Sequence, residues 1–174
     1  MSEARPARFD MVVPTTGRPS LARLLDSLAD SAGELPGRVF VVDDRRDEVG
    51  PLRCDAPAGV GSRVRVLRCG RGPAAARNAG WRASAAAWVV FVDDDVVLPG
   101  DWLIRLAHDI ATATPDVAGV QARIRVPLPA GRRPTDWERN VAGLERARWA
   151  SADIAYRRSD LVRVGGFDER FPRA

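Results

Sequence analysis

WVVFVDDDVVL, residues Trp88 to Leu98, is the stretch that decides the fold. Four consecutive apolar residues, Val89, Val90, Phe91 and Val92, stop abruptly at Asp93, Asp94 and Asp95. A short continuous apolar run with sharp polar bounds predicts a buried strand with the acids at its carboxyl end. Three neighbouring carboxylates repel one another, so a compensating cation is expected beside them. A hard divalent ion, Mg²⁺ or Mn²⁺, takes such oxygen ligands together with substrate phosphates. The competing reading is a solvated turn at a strand end.

Working outward, similar runs recur upstream. Phe9 to Pro14, FDMVVP, predicts a first strand, and Arg38 to Val42 a second that ends in Asp43 and Asp44. Arg63 to Cys69 alternates with period two and predicts a third strand nearer a sheet edge. Between them, Pro19 and Ser20 open a helix whose Leu21, Leu24, Leu25 and Leu28 share one face. Ala74 to Ala87 reads as a helix of small residues, and Gly80 within it hints at a close backbone approach.

Downstream, Asp101 is the expected cap of a helix through Ala113, and Val117 to Val126 reads as a strand. Pro127 to Pro134 is a loop. Thr135 and Glu138 have capping-box spacing and open a helix to about Arg148. Ser151 to Arg157 and Ser159 to Val164 complete the series as a short strand and a short helix. Strands alternating with helices predict an α/β fold, one mostly parallel twisted sheet with helices on both faces. Neither a repeat nor a domain linker interrupts the chain.

Composition narrows the function. With 45% apolar and 29% charged residues, the chain has the make-up of a soluble globular protein. No apolar run approaches the ~20 residues needed to span a bilayer, and Met1 to Arg8 is no signal-peptide core. These features predict a cytoplasmic protein. The net charge is +4, every basic residue is Arg, and the arginines are scattered. That pattern argues against nucleic-acid binding and suits a phosphate-bearing small ligand. Cys54, Cys69 and the single His108 cannot make a Cys/His zinc site.

In open α/β sheets, ligands bind in the crevice outside the carboxyl ends of the strands. The four predicted exits there are Thr15-Thr16-Gly17-Arg18, Asp43-Asp44, Arg71-Gly72 leading to Arg77, and Asp93-Asp94-Asp95. All are polar or charged and should share one crevice. Arg18 and Arg77 could bind phosphate by paired hydrogen bonds. Asp44 could accept hydrogen bonds from a base or ribose, or could lie in an ordinary polar turn. Gly70 to Pro73 has neither a dinucleotide-binding glycine pattern nor a P-loop lysine.

VVPTTGRPSLARLLDSL, VVDDRRD, GPAAARNAGW, VVFVDDDVVLPGDWL and GGFDERF occur here in the order found in glycosyltransferase family 2. The resemblance runs from Phe9 to Arg173. It implies the GT-A fold in one domain, residues 1–174, with a nucleotide-binding part over about 9–126 and an acceptor-side part from about 127. It implies inverting, metal-assisted sugar transfer from a nucleoside diphosphate sugar to a saccharide, lipid or small-molecule acceptor. A lipid acceptor would bring peripheral contact with a membrane.

Pro14, Thr15 and Arg18 would line the nucleotide site, Asp44 would meet the base, and Arg77 would lie nearby. The acidic triplet resembles the family's D-x-D signature. In it Asp95 would hold the metal, while Asp93 or Asp94 would contact the ribose or assist the metal. The family's catalytic base usually follows the GGFDE segment in a Glu-Asp pair, and this sequence stops at Ala174 before one occurs. The base is therefore expected beyond Ala174, as in a piece of a longer enzyme. Three rival readings remain: a nucleotide- and metal-binding fragment with little transfer, a nucleotidyltransferase, and an α/β interaction domain with a solvated acidic turn.

Overall fold

The apolar runs become strands because each can be covered on two sides. A computed structural model describes residues 9–46 and 50–171. Its strands are β1 (Phe9–Thr15), β2 (Val39–Asp43), β3 (Val64–Arg68), β4 (Trp88–Val92), β5 (Gly119–Gln121) and β6 (Asp153–Arg157). The helices are α1 (Ser20–Asp30), α2 (Ala58–Gly61), α3 (Pro73–Ala83), α4 (Trp102–Thr112), α5 (Asp136–Ala142) and α6 (Arg158–Val164). A 3-10 turn, Gly143–Arg146, follows α5. All six strands form one sheet in the order β3-β2-β1-β4-β6-β5.

Side-chain alternation sorts the core into two layers. Met11, Val13, Val39, Val41, Val90 and Val92 face the leucines of α1 and Trp102, Leu103, Leu106 and Ile110 of α4. Val12, Phe40, Val42, Val89 and Phe91 face Ala76 and Trp81 of α3 and Leu161 of α6. The expected close approach occurs at Gly80. A Cβ there would lie 2.3 Å from Val12 Cγ1, so only glycine lets α3 settle on β1.

Strand order reverses at β1. From it the chain moves to β2 and β3 on one side, then returns to β4 on the other. Such a switch point opens a crevice at the carboxyl ends of β1 and β4. β3 lies at an edge, as its alternation predicted. β6 runs antiparallel to both β4 and β5. That direction sets Asp153, the first residue of β6, opposite Val92 at the ligand end of the sheet.

Several boundaries differ from those read in the sequence. The strand expected over Val117 to Val126 is only β5, because its partner β6 begins at Asp153 and leaves residues beyond Ala122 no strand to pair with. The helix expected to Ala87 ends at Ala83. There the Ser84 hydroxyl donates to Asp10 Oδ2 at 2.6 Å and accepts from Ala86 N at 3.2 Å, which turns the chain outward. Asp101 does not cap α4 with its side chain, because Arg105 Nε takes the carboxylate at 2.7 Å. The expected capping box at Thr135 and Glu138 is present. Cys54 and Cys69 are free thiols. Among the described residues, no helix is long and apolar enough to cross a membrane.

Candidate functional site

The four strand exits do meet. Pro14, Thr15 and Arg18 from β1, Asp44 from β2, Pro73 and Arg77 from α3, and Asp93, Asp94 and Asp95 from β4 line one open cleft of ≈ 330 Å³. Thr16 and Ser151 complete its wall. Every donor- or metal-site residue expected from the sequence is in it.

The acidic triplet divides into three environments. Asp94 is buried, and its Oδ2 accepts from Thr15 Oγ1 at 2.6 Å. Burial raises its pKa against the lowering influence of Thr15 and Arg18. Asp93 Oδ1 accepts from Arg77 Nη2 at 2.7 Å. Asp95 has a side chain 60% exposed, and its recorded ionic partner is Arg18 Nη1 at 3.5 Å. One sequence triplet thus supplies a buried anchor, an acid bonded to a buried arginine and a largely exposed acid beside Arg18.

Arg77 is the most constrained cation in the cleft. It is buried, its guanidinium carbon lies 5.8 Å from the Phe167 ring centre, and its Nε has no hydrogen-bond partner. A buried unpartnered donor is rare and costly, and it would be satisfied by an anionic ligand. At the β2 exit, Asp44 Oδ1 accepts from Gly72 N at 2.9 Å, and Asp44 N donates to Thr15 O at 2.8 Å. Asp44 therefore fixes the turn that starts α3. Asp43 faces away, buried against a two-point contact from Arg45 at 2.8 and 2.7 Å that holds its carboxyl below the usual range.

The GGFDE segment docks on α3 beneath the cleft. Asn78 Nδ2 donates to Phe167 O at 2.8 Å and to Glu169 Oε1 at 2.9 Å. Asn78 Oδ1 accepts from Trp81 Nε1 and from Phe167 N, each at 2.9 Å. Gly166 has φ +85°, and a Cβ on it would lie 2.4 Å from Asn78 Oδ1. The second glycine of the motif is thus demanded both by backbone conformation and by space.

Residues 10–161 match the family model described as glycosyl transferase family 2. The chain belongs to this family. The pre-mycofactocin glycosyltransferase of Mycobacterium tuberculosis is 34% identical over 176 residues, a match covering 91% of this chain and 35% of the relative. The family 2 chain thus spans about a third of the length of the curated relatives it matches.

Among solved structures, mannosyltransferase PcManGT from Pyrobaculum calidifontis, in complex with GDP-Man and Mn²⁺, superposes with a TM-score of 0.60 at 23% identity. That superposition covers 96% of this chain and 50% of the mannosyltransferase. S. aureus TarS 1-349 in complex with UDP gives a TM-score of 0.63 at 20% identity, covering 96% of this chain and 52% of TarS. Identities this low speak for the fold, which is GT-A.

Sequence reasoning missed Ser151 and Pro73 of the cleft wall. Pro73 opens α3 directly after the β3 exit, and a proline there signals a helix start and not a ligand wall. Ser151 was read as the start of a strand, and nothing in the sequence shows which way that strand runs. Once β6 is known to be antiparallel, the residues before it must lie at the ligand end.

Proposed function

We propose that the cleft is the donor half of a sugar-transfer site, which binds a nucleoside diphosphate sugar for inverting, metal-assisted transfer to an acceptor hydroxyl. The carrying observation is the convergence of Arg77, with its unpartnered buried Nε, and three differently held carboxylates at the switch point between β1 and β4. Arg77 and Arg18 would meet the diphosphate, and Asp44 would meet the base. Thr15 keeps Asp94 oriented. Asp94 in turn supports the turn that carries Asp93 and Asp95.

The residues present fit a divalent ion shared with the substrate. Among the described residues, no group of three or more acidic, His or Cys side chains forms a ready metal cage. Mg²⁺ and Mn²⁺ sites of this kind need only one or two carboxylates plus substrate phosphates. Asp95 has the outward oxygens, and Asp93 is next to it once Arg77 is shared with a phosphate. When bound, the ion would neutralise charge developing on the departing diphosphate.

Transfer by inversion needs a base on the acceptor side of the sugar. The acids of the GGFDE segment are engaged otherwise. Glu169 is held by Asn78, Arg71 and Arg82, and Asp168 by Arg170. That observation favours, as a second reading of this family 2 chain, donor binding with little transfer. Calorimetry with UDP and GDP in Mn²⁺ tests the first reading. Binding should need the metal in the parent and lose that dependence, with about tenfold weaker affinity, in Asp95→Ala. Unchanged metal-dependent binding by Asp95→Ala would sink the metal assignment, and sustained sugar transfer by the chain alone would sink the second reading.

A further inference from the structure

Trp149 is the one non-glycine residue with a positive φ, 67°, among the described residues. The residue is also 66% exposed. A bulky L-residue in the left-handed region is a genuine outlier, and such strain collects at ligand sites. Core packing does not account for an indole left in water.

The loop that carries it is firmly held. Gln121, at the end of β5, donates from Nε2 to Ala147 O and accepts at Oε1 from Ala150 N, each at 3.0 Å. Beyond the indole, Ser151 lines the cleft, and Ala152 O accepts from Asp93 N at 3.1 Å. One end of the loop is thus clamped to β5 and the other to the acidic triplet.

Strand order says what should meet it. Across the cleft the sequence of elements is β2 with Asp44, β1 with Pro14 to Arg18, β4 with the acids, then β6 with Ser151. At the usual interstrand spacing these four positions span about 14 Å. A nucleoside diphosphate sugar laid along them would put its base at β2 and its phosphates between β1 and β4. Its sugar would then lie at the β6 side, beside Ser151 and so two residues along the chain from Trp149. Resting on the donor-binding reading of the cleft, we propose that Trp149 stacks on the apolar face of the donor's sugar ring and selects among sugars. An aromatic face, negative at its centre, suits the weakly positive C–H groups of a pyranose. Strained backbone and exposed indole then have one purpose: to present that face to the ring.

The test titrates the parent chain and Trp149→Ala, Trp149→Phe and Trp149→Gly with UDP, GDP, UDP-GlcNAc and GDP-mannose in Mn²⁺, with a melting curve for each. In the parent one sugar nucleotide should bind about fivefold tighter than its bare nucleotide, an increment in the range of one aromatic contact. Alanine and glycine should cut that ratio to within about twofold of unity, leave bare-nucleotide affinity in place, and phenylalanine should keep most of it. The glycine variant should melt no lower than the parent, because glycine adopts this φ without strain. An unchanged ratio in Trp149→Ala overturns the proposal, as does a parent with no sugar increment. A joint fall of nucleotide affinity and melting temperature in Trp149→Ala would mark a structural prop instead. A parent that binds none of the four probes refutes the donor-site reading itself, and the stacking role falls with it.

Discussion

Asp153 offers the sharpest test of how burial is distributed around the cleft. It is 8% exposed, lies opposite Val92, and accepts one recorded side-chain hydrogen bond, from Trp102 Nε1 at 2.8 Å. Burial pushes its pKa from 3.8 up to about 6, opposed only by that bond. The native state therefore keeps a proton that the unfolded chain releases. Stability falls as pH rises from 3.8 to about 6, and the full penalty persists above that window. A rise of this size corresponds to about 3 kcal/mol at most.

Asp153→Asn keeps an oxygen for Trp102 and removes the charge. Its amide adds a donor that would be left short of a partner, at a cost of about 1 kcal/mol or more. The variant should thus be about 1–2 kcal/mol more stable than the parent at about pH 8, and no more stable at about pH 4. Urea unfolding at both pH values reads the difference. A stability difference that does not change with pH would refute the assignment of a neutral, buried carboxyl. A larger gain at the acid end would refute the sign.

Two further outcomes follow from close contacts. Gly80→Ala should gain about 1 kcal/mol of helix propensity but lose more to overpacking against Val12, lowering Tm by several degrees. An unchanged or higher Tm would show that α3 can lift off β1 freely. Asn78→Ala removes all four hydrogen bonds to Trp81, Phe167 and Glu169, so the Phe167 amide should exchange about tenfold faster or more, with Val90 unaffected. Equal protection of Phe167 in both proteins would mean that the GGFDE segment is held by Phe167 packing rather than by Asn78.

The sheet was legible because its information is local. Val39 to Val42 and Val89 to Val92 are continuous apolar runs, and only a strand covered on both faces buries every residue of such a run. The direction of β6 was not legible, because Asp153–Arg157 has the same apolar pattern read either way, and direction depends on how the preceding loop crosses the sheet. Its consequence was hidden with it: Ser151 and Asp153 belong to the ligand end only because β6 runs backwards.

The site shows the same division. That the acids stand at a strand exit follows from the sequence, and the crevice rule places them with Thr15, Asp44 and Arg77. Which acid does what does not follow, because Asp93, Asp94 and Asp95 are chemically alike. Their difference comes from partners distant in sequence: Thr15, 79 positions before Asp94, and Arg77, 16 before Asp93. Thr15 and Arg77 are carried to the triplet by β1 and α3, and the closeness of those two elements depends on Gly80. A packing contact one turn along α3 from Arg77, on the same face of the helix, therefore helps set how the three acids are divided between partners.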